Sequence, residues 1–228
     1  MPAFFVTGTD TEVGKTFCSA ALLTAARLAG IPGLGLKPIA AGCEKTPEGW
    51  RNEDALALIE AAGTDLAYDL INPYALAPAI APHIAAAEAG VTLDASTVAA
   101  HCRAHLPAEG LNIVEGAGGW LVPLNDRESF ADIATALSLP VILVVRLQLG
   151  CINHALLTAQ AVAQAGLPLA GWIANAGPDG MNRQQQNIDT LTARLPCTRL
   201  GCMPWLGDTP NMQAAAAQLD IQPLLAIP

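Results

Sequence analysis

The chain has 228 residues, enough for one domain with a substantial core, and is 52% hydrophobic but only 14% charged. Its net charge of −9 comes without any basic run, which excludes nucleic acid as a general partner and leaves anionic ligands to be caught by local lysines. No apolar segment reaches the length of a membrane span, no secretory pattern opens the chain, and the six cysteines form no CxxC pair, so a reduced, cytoplasmic protein with no membrane partner is expected.

Apolar strand-like runs alternate with alanine-rich helical runs along the whole chain. That pattern predicts a single α/β domain over residues 1–228, with about seven mostly parallel strands flanked by helices. The first strand is expected at residues 4–7 and the first helix at 14–29, ended by Gly30 and Pro32. Between them runs GTDTEVGKT, Gly8 to Thr16. Strand, glycine-bounded loop and helix is the context of a phosphate-binding loop in a P-loop NTPase-like fold. Loop N–H groups and the helix dipole converge on one anionic spot. Lys15 adds a mobile cation, and the Thr16 hydroxyl suits a Mg²⁺ held by phosphates. The loop departs from GxxxxGK[ST], because Gly8 lies six residues before Gly14 and Thr9 takes the usual glycine position. It also carries two acids, Asp10 and Glu12.

A second strand at 35–39 delivers Lys37 to the same end of the sheet, followed by a loop over 40–51. Asn52 caps a helix at 53–62, and Asp54 in its first turn is either a dipole-stabilising acid or a metal ligand. Residues 63–93, with Pro73, Pro78 and Pro82, form the least regular stretch. Asp94 caps a helix to about residue 105. Its His101 and His105 stand four apart, without the glutamate or further ligand a zinc site needs. The strand at 111–114 ends in Glu115 and a run of glycines. An acid after such an apolar run is either a metal-site carboxylate or the first residue of a surface turn. A helix at 129–137 and the most hydrophobic strand, 141–145, follow. Gly150 opens a helix through 165, where free N–H groups suit a carboxylate or phosphate. A strand at 170–174 ends at Asn175, a helix covers 181–195, a strand covers 199–203 before Pro204, and a last helix covers 211–219. Ligands in such sheets bind at the carboxyl ends of the strands, where the phosphate loop, Lys37, Glu115, Asn175 and Pro204 all fall.

Several segments in order go beyond a generic phosphate loop: GTDTEVGKT, the GLKP strand end, EKTPEGWRNEDALAL, NPY with APHIAA, VEGAGGW, LPVILVV, LGCINHALLTAQ, AGWIAN and MPWL. Over nearly its whole length the chain resembles the dethiobiotin synthetases, ATP-dependent enzymes of the deviant P-loop class. The resemblance implies carboxylation and ring closure of 7,8-diaminononanoate with CO₂ or bicarbonate, through a carbamate and a carbamic–phosphoric anhydride, with MgATP as co-substrate. It implies Lys37, Lys15 and Thr11 as catalytic residues and Thr16, Asp54 and Glu115 as Mg²⁺ ligands. ATP would be held by Glu12, Val13, Gly14, Lys15, Thr16, Phe17, Asn175 and Pro204. Thr11, Lys37, Ala41 and Gly118 would line the diamine, and Gly150, Cys151, Ile152 and Asn153 would hold its carboxylate from the second subunit of a homodimer.

The chain also departs from a member of that family that has serine at 41 and 81, tyrosine at 187 and lysine at 148, where Ala41, Ala81, Asn187 and Gln148 stand here. A related amide-forming or cyclising ligase is the first alternative. A partitioning-type nucleotide switch is the second, though the loop carries no lysine before Lys15 and no amphipathic membrane tail is visible.

Overall fold

The computed structural model describes residues 3–207 and 210–227. In chain order the elements are β1 (Ala3–Gly8), α1 (Lys15–Leu28), β2 (Gly33–Leu36), β3 (Ile39–Ala41), β4 (Glu44–Thr46), β5 (Gly49–Arg51), α2 (Glu53–Ala62) and α3 (Tyr68–Ile71). There follow β6 (Tyr74–Leu76), α4 (Pro82–Glu88), α5 (Ala95–His105), β7 (Leu111–Gly119), α6 (Phe130–Leu137) and β8 (Val141–Leu147). The chain ends with α7 (Cys151–Gln164), β9 (Leu169–Ala176), α8 (Gln184–Arg194), β10 (Arg199–Met203), α9 (Met212–Ala216) and α10 (Gln222–Leu225).

Six strands form one sheet in the order β10-β9-β8-β1-β7-β2, and every pairing in it is parallel. The remaining four strands make two small ribbons outside it, β3-β6 and β4-β5. The sheet is covered on both faces, which explains why its strands read as continuous apolar runs. Along β1 the side chains alternate between cores: Phe5 joins the cluster of α5 and α6, whereas Phe4 and Val6 join that of α1. No described helix is long and apolar enough to cross a membrane. All six cysteines are free.

Several boundaries differ from the sequence expectation. The second strand runs Gly33–Leu36 rather than 35–39. Pro38 has no N–H to give a ladder, and the Lys37 N–H turns aside to the Ile71 carbonyl at 3.1 Å. Ile39 then starts a separate strand paired with Tyr74. The stretch 63–93 holds α3, β6 and α4, the last opened by Pro82 in its first turn. The loop at 40–51 contains the antiparallel β4-β5 hairpin. The helix expected from 181 begins at Gln184, after Arg183 at φ 57°. The helix expected at 211–219 is confined to Met212–Ala216, and a further short helix, Gln222–Leu225, follows it. β7 continues past residue 114, so Glu115 lies inside the strand opposite Val6 and not at its end. Asn52 and Asp94 cap α2 and α5 as expected, accepting N–H bonds with their side-chain oxygens.

The β2-β7 edge is tied by a buried amide. Asn112 is wholly buried, accepts the Leu34 N–H at 3.1 Å and donates to the Pro107 and Glu109 carbonyls at 3.0 and 3.3 Å. Asn112→Ala leaves those groups without partners and should lower unfolding stability by about 1–3 kcal/mol, read from the urea midpoint at unchanged slope. An unmoved midpoint would mean that this amide carries no stability.

Candidate active site

The turn between β1 and α1 is built around two left-handed residues, Glu12 at φ 57° and Gly14 at φ 86°. The Thr9 N–H anchors the loop to the Val144 carbonyl of β8 at 3.1 Å. Lys15 lies over it, with Nζ 3.2 Å from the Asp10 carbonyl oxygen. No side chain caps α1, and its first turn holds no acid. The helix thus presents free N–H groups and an unopposed positive dipole end, as an anion site requires. The two loop acids leave that spot clear: the Asp10 carboxylate accepts the Thr11 N–H at 2.8 Å, and Glu12 is exposed.

Lys37 is the centre of charge. Its ammonium is buried and lies 2.7 Å from Glu115 Oε1 and 2.8 Å from Asp54 Oδ2. It also donates to the Gly116 carbonyl at 3.2 Å. Burial pulls its pKa down, but the two carboxylates outweigh burial and hold it above the ordinary lysine value. Asp54 is the partner case: desolvation pushes its carboxyl up, and the Lys37 charge with the Lys37 hydrogen bond brings the balance below the usual range. Lys15 has no such pairing. Burial and the neighbouring Lys37 charge depress it to about 8. Asp54 is therefore both a first-turn acid and an ion-pair partner, and Glu115 is no surface turn: it is wholly buried.

The oxygen atoms of Thr16, Asp54 and Glu115 converge here. The Thr16 hydroxyl donates to Glu115 Oε1 at 2.7 Å, while Glu115 Oε2 is buried with no hydrogen-bond partner among the described residues. An orphaned buried carboxylate oxygen beside a hydroxyl and a second carboxylate suits a hard divalent cation that takes its remaining ligands from phosphate and water. No group of three or more His, Cys, Asp or Glu able to hold a metal ion occurs among the described residues.

A cleft of about 760 Å³ opens over this cluster. It brings together Thr11, Glu12, Gly14, Lys15, Thr16, Phe17, Lys37, Ala41, Asp54 and Gly118, and also Ala81. Gly118 sits at φ 66°, and a Cβ there would meet Val122 at 2.8 Å and the Thr11 hydroxyl at 3.4 Å. Val13 is buried beneath the loop, and its carbonyl accepts from Asn175 Nδ2 at 2.8 Å. Pro204 is exposed and follows Met203, the register partner of Asn175. Gly150, Cys151, Ile152 and Asn153 do not line this cleft. They begin α7, uncapped by any side chain, beside a second pocket of about 340 Å³ lined by Arg146, Gln148, Leu149 and Met181 among others. Cys151 is buried in the core cluster of α7 and α8. Asn187 turns its amide back to the Arg183 carbonyl at 2.9 Å. His101 and His105 each place a ring nitrogen 2.8 Å from a backbone carbonyl oxygen, a structural use of both.

Sequence reasoning missed three supports of the site. Asn72, buried, donates to the Lys37 carbonyl at 2.6 Å and so fixes the strand end from behind. The Gly116 carbonyl holds the Lys37 ammonium, an acceptor no side-chain pattern announces. Arg146, at the end of β8, donates to the Glu12 carbonyl at 3.2 Å, and its guanidinium lies against Gly177. A cation inside the run VILVVRL was the one visible signal for it.

A family model described as an AAA domain matches residues 2–213. The ATP-dependent dethiobiotin synthetase BioD of Pseudomonas aeruginosa (strain UCBPP-PA14) is 54% identical over 225 residues, covering 98% of each chain. The BioD of Cellvibrio japonicus is 51% identical over 98% of this chain and 97% of its own. BioD 1 of Escherichia coli K12 is 48% identical over 96% and 97%. Among solved structures, the signal recognition particle receptor FtsY from Elizabethkingia anophelis with GDP superposes with a TM-score of 0.53 at 13% identity, over 93% of this chain and 58% of that one. The septum site-determining protein MinD from Pyrococcus horikoshii with Mg-ADP gives 0.53 at 13% identity, over 89% and 81%. At that identity the two show the P-loop fold alone, whereas the match to the curated relatives runs the full length: the chain belongs to the ATP-dependent dethiobiotin synthetase family.

Proposed function

We propose that the chain carboxylates 7,8-diaminononanoate and closes it to dethiobiotin, consuming CO₂ and ATP and releasing ADP and phosphate, in the cytoplasm. The observation that carries this reading is the buried Lys37 ammonium at the floor of a cleft that also holds the phosphate loop. One amine takes up CO₂ and becomes a carbamate. A carbamate oxygen attacks the γ-phosphorus, the bond to ADP breaks, and a mixed anhydride forms. The second amine attacks the anhydride carbonyl, phosphate leaves, and the ureido ring closes. Two anions must meet in the middle step, so cations between them lower its barrier. Lys37 supplies a charge kept protonated by its carboxylates, and Lys15 a second one from the loop. Thr11, beside Gly118, lines the diamine side. Asn175 and Pro204 flank the adenine. Thr16, Asp54 and Glu115 would hold Mg²⁺, which when bound neutralises phosphate charge.

We place the diamine carboxylate at the start of α7 of a second subunit in a homodimer. Leu149, 96% exposed directly before that helix, and the half-exposed Leu157 on it supply the apolar surface such a contact covers. The carboxylate would meet backbone N–H groups of Gly150 to Asn153, with Asn187 and Gln148 as the nearby departures.

Three outcomes test this reading. Purified protein given MgATP, bicarbonate and the diamine should yield dethiobiotin by mass spectrometry, and Lys37→Ala should make little; ATP hydrolysis without that product would retain the fold and discard the substrate. ATP affinity should be flat below pH 8 and fall by up to about tenfold per unit above it, since Lys15, depressed to about 8, must carry its proton to hold phosphate. Calorimetry across neutral to alkaline pH reads this, and an unchanged Kd above that pH would remove Lys15 from the phosphate contact. Ala41→Ser restores a hydroxyl to the cleft wall and should lower KM for the diamine; no change would mean that the hydroxyl is not used.

A further inference from the structure

Tyr68 belongs to neither the phosphate loop nor the cleft lining, yet its hydroxyl touches both supports of the Lys37 ion pair. It donates to Asn72 Oδ1 at 2.9 Å, and the Asn72 amide in turn donates to the Lys37 carbonyl at 2.6 Å. It accepts the Asn52 backbone N–H at 2.8 Å. Asn52 is the residue whose side-chain oxygen caps α2, accepting the Asp54 N–H at 3.1 Å and the Ala55 N–H at 3.4 Å. One phenol thereby bridges the strand end that carries Lys37 and the helix start that carries Asp54. Asn72 and Asn52 are both buried, Asn52 at the wall of the cleft.

The ring is itself held. The Arg51 guanidinium lies 4.2 Å from its centroid, and the ring packs against the same core as Phe5 and Ile39. The next residue of the path is equally fixed: the Asn72 N–H donates to the Tyr68 carbonyl at 2.8 Å, and the Lys37 N–H to Ile71 at 3.1 Å. The C-terminal end of the four-residue α3 thus grips Lys37 through Ile71 and Asn72, while Tyr68 at its first position reaches Asn72 and Asn52.

We propose that Tyr68 is a positioning residue for the ring-closing reaction, setting the separation of Lys37 and Asp54 through Asn72 on one side and the Asn52 cap on the other. The proposal rests on the reading that Lys37 serves the transfer step. Loosening the bridge leaves the phosphate loop in place but lets the ammonium wander from the reacting oxygens. The loss should therefore fall on kcat and spare KM.

The test compares wild type, Tyr68→Phe, Asn72→Ala and the double variant in steady-state dethiobiotin synthesis, with thermal melting to confirm folding at the assay temperature. Tyr68→Phe should lower kcat about tenfold or more while the KM values for ATP and diamine stay within about twofold. The double variant should be no slower than Asn72→Ala, because both changes cut one path. If Asn72→Ala does not fold, Tyr68→Phe decides alone. A kcat within about twofold of wild type, a loss confined to KM, or losses that multiply would each overturn the proposal. Absence of dethiobiotin from wild type would instead remove the reading on which it rests.

Discussion

The site depends on a single buried ammonium between two carboxylates. Taking Lys37, Asp54 and Glu115 out of bulk water is costly, and the cost is offset only because contacts of 2.7 and 2.8 Å let each charge see its partner through a weakly screening medium. The arrangement is strict in both directions. Removing Lys37 would leave an acid fully inside the protein beside a half-buried one. Removing Glu115 would leave a cation with Asp54 alone. Lys15 shows what happens without such pairing, since the same surroundings drive it toward neutrality. Two lysines face two acids, so the cluster is close to neutral before any ligand arrives. A triphosphate then meets loop N–H groups and a helix dipole rather than a ready excess of cations.

Much of this was legible in the sequence where one residue type has one plausible job. The glycine-bounded loop before an alanine-rich helix reads as a phosphate grip because few other uses exist for GKT after a strand. The capping roles of Asn52 and Asp94 were readable for the same reason, and both caps form. Glu115 and Asp54 were ambiguous, because an acid at a strand or helix end is as often solvent-facing as buried; only the fold shows Glu115 wholly buried and both carboxylates against Lys37.

What stayed hidden is what depends on long-range contact. Asn72 is 35 residues from the lysine it supports, and Arg146 is 134 from the glutamate carbonyl it holds. Neither spacing follows any helical or strand period. The stretch 63–93 looked irregular because its prolines and short elements defeat periodicity, yet it supplies α3 and β6, which brace the lysine strand from outside the main sheet. Backbone acceptors such as the Gly116 carbonyl have no side-chain signature at all.

The strand order carries a consequence for biogenesis. β1 is made first and lies at the middle of the sheet, but its neighbours are β7 and β8: Ala3 pairs with Asn112, and Phe5 with Val141. As the chain leaves the ribosome, Phe4 and Phe5 must wait for more than half of the protein before either flank is paired. Local helices can form meanwhile, but loop-closure entropy keeps the central ladder for late in synthesis. The nascent chain therefore carries an exposed apolar strand joined to an unfinished nucleotide loop, a species suited to chaperone capture. Truncation anywhere before β8 would leave the phosphate loop unanchored, because the Thr9 N–H has its partner in Val144. Nucleotide binding thus becomes possible only after most of the chain exists.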